Sequence, residues 1–259
     1  MTGVFDSGLG GLTALCAARD LLPAEDFVYL GDTAHLPYGS RPPETLLGYT
    51  EKAVAFLERT GATRILVACG TVSAAVLPRL KTAHVPLYGV IEPAAARAAA
   101  LWRGGTIGVL GTEETVKSGA FVHALHRCCP AAKVKQIACP LFVALVECGF
   151  TKGEDRTARF AAARYLSPFL VSPPDVLILG CTHFPLLSGV ISSLLPGTAL
   201  VNSGAQAAEA LAASVGPAQA AQRPGNVRFF VTDDAPGFAA KAGLFFSGSE
   251  PVRAQCVRL

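Results

Sequence analysis

The chain has 259 residues, 51% of them apolar and 16% charged. That composition supports one large domain or two ordinary ones with a core that needs no disulfides, and it excludes a disordered chain. The net charge of +3, with no run of Lys or Arg, offers no surface for nucleic acid. Eight cysteines are present without a Cys-x-x-Cys, so zinc-ribbon and thioredoxin readings have no support. No apolar run is long enough to span a bilayer, and a strand-like run begins at Gly3 with no secretory segment before it. The expectation is a cytoplasmic protein with reduced thiols, no membrane contact and no metal site.

In chain order, Gly3 to Phe5 predict a buried strand, followed by the glycine-rich turn Asp6-Ser7-Gly8-Leu9-Gly10-Gly11. A helix runs through Leu15 and Ala18 until Pro23 stops it. The turn lacks the Lys of a Walker loop, and Thr13 stands where a dinucleotide fingerprint needs Gly. It is read either as a plain strand-to-helix turn or as a holder of a small anion such as a carboxylate. Phe27 to Leu30 form the second strand, and residues 31–42 a long loop of the kind that often carries function. A helix from Glu44 to Thr60 ends at Gly61, and Ile65 to Ala68 form a strand that delivers Cys69. A helix through Ala74, Ala75 and Leu80 follows, then a strand at Leu87 to Val90 and an Ala-rich helix from Ile91 to Leu101.

The second half repeats this grammar. It has a strand at Thr106 to Leu110, a turn over residues 111–115, a helix through Phe121 and Leu125, and a strand at Val134 to Ala138. A helix from Asp155 to Leu170 precedes the strand Val176 to Leu179, which delivers Cys181. A strand near Leu200-Val201, a helix near Ala205 to Ala213 and a strand at Arg228 to Val231 complete the pattern. Alternating strands and helices predict an α/β fold with mainly parallel sheets flanked by helices, in two pseudo-symmetric domains. The boundaries fall at residues 1–95 plus 205–259 for the first domain and 96–204 for the second. Ligands in such folds sit at the carboxyl ends of strands. That rule gathers Asp6, Ser7, Cys69, Thr71, Thr112, Cys181 and His183 at the interface between the halves.

Val67-Ala68-Cys69-Gly70-Thr71 and Leu179-Gly180-Cys181-Thr182-His183 are two versions of one unit. Each puts a thiol at a strand end and a Thr within two residues of it. A lone Cys in this place is usually a small core residue. Two of them facing one site suit inversion at a carbon that bears a weakly acidic hydrogen. One group removes the proton from one face, and the other supplies a proton to the opposite face. Cys16, Cys128, Cys129, Cys139, Cys148 and Cys256 are read as core or incidental, and His35 as structural.

With these residues in view, the chain resembles the cofactor-independent glutamate racemases of the aspartate/glutamate racemase superfamily. The matching stretches are residues 3–12, 29–33, 37–41, 67–71, Cys139-Pro140-Leu141 with Glu147, and 179–187. The resemblance implies that Cys69 and Cys181 are the acid–base pair, with Asp6 beside the first thiol, His183 beside the second, and Glu147 near the site. Asp6, Ser7, Pro37, Tyr38, Gly39, Gly70, Thr71, Thr112, Thr182 and His183 would hold glutamate, and no cofactor would be needed. It further implies a homodimer, D-glutamate supplied for peptidoglycan synthesis and, by family analogy alone, an interaction with DNA gyrase.

One departure stands out. The family usually has Asn after the first Cys, and this chain has Gly70. Losing one hydrogen bond to a charged ligand group would cost ~1.5–3 kcal/mol, so the expectation is that Gly70→Asn raises activity. Alternative readings are another superfamily enzyme, such as an aspartate racemase or a decarboxylase of substituted malonates, or a binding homologue with a weakened site.

Overall fold

The computed structural model describes residues 1–215, 224–246 and 251–259. Its strands, numbered along the chain, form two sheets in which every described pair is parallel. The first holds β1 (Thr2–Asp6), β2 (Phe27–Gly31), β3 (Arg64–Val67), β4 (Leu87–Gly89), β9 (Val227–Val231) and β10 (Ala254–Cys256), in the order β10-β9-β2-β1-β3-β4. The second holds β5 (Thr106–Gly111), β6 (Lys133–Ala138), β7 (Val176–Leu179) and β8 (Ala199–Asn202), in the order β6-β5-β7-β8. The inner strands β1, β2 and β7 are buried throughout, which is why β2 and β7 read as apolar runs instead of alternating ones, whereas β1 also buries Thr2 and Asp6 at its ends.

Helices α1 (Leu12–Leu21), α2 (Pro43–Arg59), α3 (Gly70–Ala75) and α4 (Ile91–Leu101) connect the first strands. In the second half lie α5 (Glu113–Ser118), α6 (Ala120–Cys128), α7 (Pro140–Glu147), α8 (Arg156–Leu170) and α9 (Ser188–Leu194). The chain then returns through α10 (Ser203–Val215), which packs on α1 and α4, to place β9 beside β2. Asn202 starts α10 by accepting from Gly204 N at 3.0 Å and Ala205 N at 3.2 Å. The last helix, α11 (Ala235–Ala242), is capped by Asp234, whose Oδ1 accepts from Gly237 N at 3.0 Å.

Several elements differ from the sequence expectation. The helix after β3 ends at Ala75 instead of continuing through Leu80. Pro78 has no backbone N–H to donate, and a short 3₁₀ turn spans Leu77–Arg79. The expected turn at residues 111–115 is the start of α5, with Thr112 accepting from Thr115 N at 3.3 Å. Gly119, at φ 67°, breaks α5 from α6. Helices α7 and α9 are additions to the elements expected from sequence. No helix among the described residues is long and apolar enough to cross a membrane.

Candidate active site

The carboxyl ends of β1, β3, β5 and β7 converge on a cavity of about 410 Å³. Of the thirteen residues singled out from sequence, twelve line it: Ser7, Pro37, Tyr38, Gly39, Cys69, Gly70, Thr71, Thr112, Glu147, Cys181, Thr182 and His183. The exception is Asp6, which is fully buried behind the lining. Its Oδ2 accepts from Gly8 N at 3.0 Å, whereas Oδ1 has no hydrogen-bond partner. Asp6 lies close enough to Cys69 to act on that thiol, the place expected of it, and is not itself among the residues that line the cavity. Burial raises the Asp6 carboxyl, opposed by the Gly8 N–H.

Cys69 precedes the first turn of α3 and is 5% exposed, with Sγ 3.8 Å from Ser7 Oγ. Burial first, and the neighbouring Asp6 next among the groups that raise it, push this thiol up to about 12. Cys69 thus holds its proton at neutral pH. Cys181 is 7% exposed and lies 3.9 Å from His183 Nδ1. His183 Nε2 lies 3.1 Å from Glu147 Oε1. Burial alone would keep this imidazole neutral. Hydrogen bonds to Cys181 and Glu147 outweigh that penalty and push His183 up to about 10. The same hydrogen bond lowers the Glu147 carboxyl. His183 is therefore an imidazolium at neutral pH, donating Nε2–H to Glu147 and aiming Nδ1–H at the Cys181 sulfur.

The remaining lining combines apolar side chains with the hydroxyls of Ser7, Thr71, Thr112 and Thr182, and carries no Lys or Arg. Thr71 and Thr112 pair through their hydroxyls at 3.0 Å, joining the two halves across the cavity. Glu114 N donates to Gly39 O at 3.0 Å in a second bridge. Thr13 adds a third, donating to Thr182 O at 3.1 Å. The Tyr38 hydroxyl donates to Asp32 Oδ2 at 2.5 Å, and Asp32 also accepts from Thr232 Oγ1 at 2.6 Å. Asp32 is fully buried and fixes the wall that Tyr38 supplies, a role sequence reading did not give it. His35 is structural, as expected: its Nδ1 lies 2.8 Å from Asp32 Oδ1 and its ring stacks on Tyr49.

Two glycines set how closely the halves approach. A Cβ on Gly10 would collide with Thr182 Oγ1 and the His183 ring, and one on Gly70 with the Gly180 carbonyl oxygen. The glycine-rich turn accordingly packs against the second half, and Ser7 is its sole residue in the cavity lining. The anion-holder reading of that turn is not what the geometry favours. The expectation for Gly70→Asn is reversed as well, because backbone of the opposite half occupies the space an Asn side chain would enter.

The lining also includes Leu36, Ser40, Glu113, Pro140, Val143 and Ala144, none of them singled out from sequence. Four α7 residues, Pro140, Val143, Ala144 and Glu147, share one helical face. That spacing, with Pro140 at a first helical position, was the available signal. No disulfide joins any of the eight cysteines, and no cluster of three His, Cys, Asp or Glu among the described residues is arranged to hold a metal.

A model of the Asp/Glu/hydantoin racemase family matches residues 12–211. The chain is 41% identical over 251 residues to the glutamate racemase of Geobacter metallireducens, covering 95% of this chain and 92% of that one. It is 43% identical over 256 residues to a glutamate racemase of Thermus thermophilus, covering 97% and 94%. Among solved structures, the glutamate racemase of Francisella tularensis in complex with D-glutamate superposes with a TM-score of 0.89 at 31% identity, covering 99% and 97%. An aspartate racemase from Picrophilus torridus shares the fold alone, at 18% identity and a TM-score of 0.61. Fold and matches together define an α/β amino-acid racemase, an isomerase. The chain belongs to the Asp/Glu/hydantoin racemase family and, within it, to the glutamate racemases.

Proposed function

We propose that the protein interconverts L- and D-glutamate without a cofactor, using Cys69 and Cys181 as a pair of proton-transfer groups. The observation that supports this reading is that each sheet delivers one buried thiol to the same cavity. Cys69, which holds its proton, is the donor of the resting site. Cys181 takes the substrate's α-hydrogen with His183 at its side, and Cys69 protonates the opposite face. For the other enantiomer the two thiols exchange roles. Glu147 fixes the His183 ring through Nε2. The hydroxyls of Ser7, Thr71, Thr112 and Thr182 and the main chain near Gly39 and Gly70 hold the substrate's polar ends. Burial of both thiols excludes water from the carbanion-like intermediate, so positioning compensates for a weak base.

The two sheets support a division into units of residues 1–95 plus 205–259 and 96–204, with the reaction at their junction. D-glutamate for peptidoglycan synthesis is the product this reading assigns. The test is incubation with each enantiomer of glutamate and of aspartate, followed by chiral chromatography. Glutamate of either hand should approach an equal mixture while aspartate stays unchanged. Conversion of aspartate without glutamate would refute the substrate assignment.

A further inference from the structure

The carboxy-terminal segment reaches the proton-transfer site by a route the reaction scheme above does not use. After α11 the chain turns at Gly243 and Leu244, and Phe245 N and Phe246 N both donate to Ala242 O at 2.9 Å. The two phenylalanines then part. Phe246 packs edge-on against Phe229 of β9, with centroids 5.5 Å apart, and beneath the Arg19 guanidinium at 5.3 Å. Phe245 turns toward the second half. Its ring meets the His183 imidazole edge-to-face, with centroids 5.3 Å apart and planes at 83°. Its carbonyl accepts from Cys16 Sγ of α1 at 3.7 Å, and the residue is 5% exposed.

His183 is engaged at Nδ1 by Cys181 Sγ at 3.9 Å and by Thr182 Oγ1 at 3.5 Å, and at Nε2 by Glu147 at 3.1 Å. Contacts at the two ring nitrogens leave the ring free to tilt about the line that joins those nitrogens. A contact from an aromatic ring near perpendicular opposes that tilt, and edge-to-face packing is a favourable geometry. We infer that Phe245 is a positioning residue for His183, holding the imidazole so that it meets Cys181 and Glu147 together and tying their alignment to the carboxy-terminal segment. The helix before it carries Lys241, whose charge lowers the Glu147 carboxyl. The remaining charged or titratable groups that act on His183 are Asp6, Cys181 and Glu147.

The inference rests on the proposed proton-transfer reading, so its test needs a signal besides turnover. Phe245→Leu keeps apolar volume but loses the perpendicular ring, and Phe246→Leu makes the same change one residue away without touching His183. Phe245→Leu should lower kcat about tenfold to a hundredfold with KM within about twofold, and Phe246→Leu should leave kcat unchanged. In proton NMR, the His183 Nε2–H bonded to Glu147 should resist solvent exchange in the wild-type protein and in Phe246→Leu. In Phe245→Leu it should exchange away. Equal kcat losses in the two variants, or a protected His183 N–H in Phe245→Leu, would overturn the inference. A wild-type protein that shows the NMR difference yet leaves glutamate unchanged would refute the reaction while sustaining the role of Phe245.

Discussion

At the scale of single residues, the site is asymmetric. Cys69 is buried beside a carboxylate and keeps its proton, whereas Cys181 stands next to an imidazolium that Glu147 stabilises. Either thiol changed to Ser should cost about a hundredfold to ten-thousandfold in glutamate racemisation, because a hydroxyl is a far weaker acid and its conjugate base is scarcely populated. Full activity in either variant would remove that residue from the scheme. Glu147→Gln removes one of the groups that keep His183 charged, so the alkaline limb of kcat/KM should move to lower pH. A pH–rate profile from about pH 6 to 11 reads that shift directly, and an unmoved limb would separate Glu147 from His183. The thiols were legible in the sequence because each follows a buried apolar run, and His183 because it sits two residues from its partner. The Glu147 contact was not derivable from spacing, since it joins residues 36 apart and depends on α7. Nor does a position at a strand end reveal whether a side chain faces the cavity, and Asp6 lies behind the lining while its neighbour Ser7 lies in it.

Among the elements, α3 and the turn after β7 meet closely. Gly70 opens α3 directly under the Gly180 carbonyl, so any side chain there forces the halves apart. Gly70→Ala and Gly70→Asn should both lower stability by about 1–3 kcal/mol, the usual cost of overpacking. Both should also lower kcat/KM, by about tenfold, as the thiols move out of register. Denaturant midpoints and steady-state kinetics on the two variants check this, and a faster Asn variant would restore the lost-amide interpretation. Sequence alone favours that interpretation, because the residue facing Gly70 is Gly180, far along the chain and next to the other sheet. Strands and long helices such as α2 and α8 were readable from apolar pattern and capping residues. The short helices α5, α7 and α9 were less so, since six to eight residues hold too few turns for periodicity to register.

Across the whole molecule, the buried titratable groups make stability depend on pH. His183 is raised from 6.5 to about 10, so its contribution is complete below about pH 6.5 and is lost as pH rises through 10. Cys69, raised from 9.0 to about 12, extends the decline to higher pH. Urea midpoints should therefore fall from about pH 6 to about pH 10, and His183→Asn should flatten that slope; equal slopes in both proteins would place the titration elsewhere. The two-sheet plan was readable because strands and helices alternate twice, but the closeness of the halves depends on contacts such as Thr71 with Thr112 that no local pattern encodes. The central claim is that one thiol from each sheet serves one face of the substrate. Its most direct test is racemisation of L-glutamate and D-glutamate in D₂O, with deuterium at the α-carbon followed separately in substrate and product at early times. Two monoprotic thiols predict that the product enantiomer carries solvent deuterium while the remaining substrate keeps its hydrogen, from either direction. Deuterium entering the unconverted substrate as fast as product forms would show a single group serving both faces and would contradict the account.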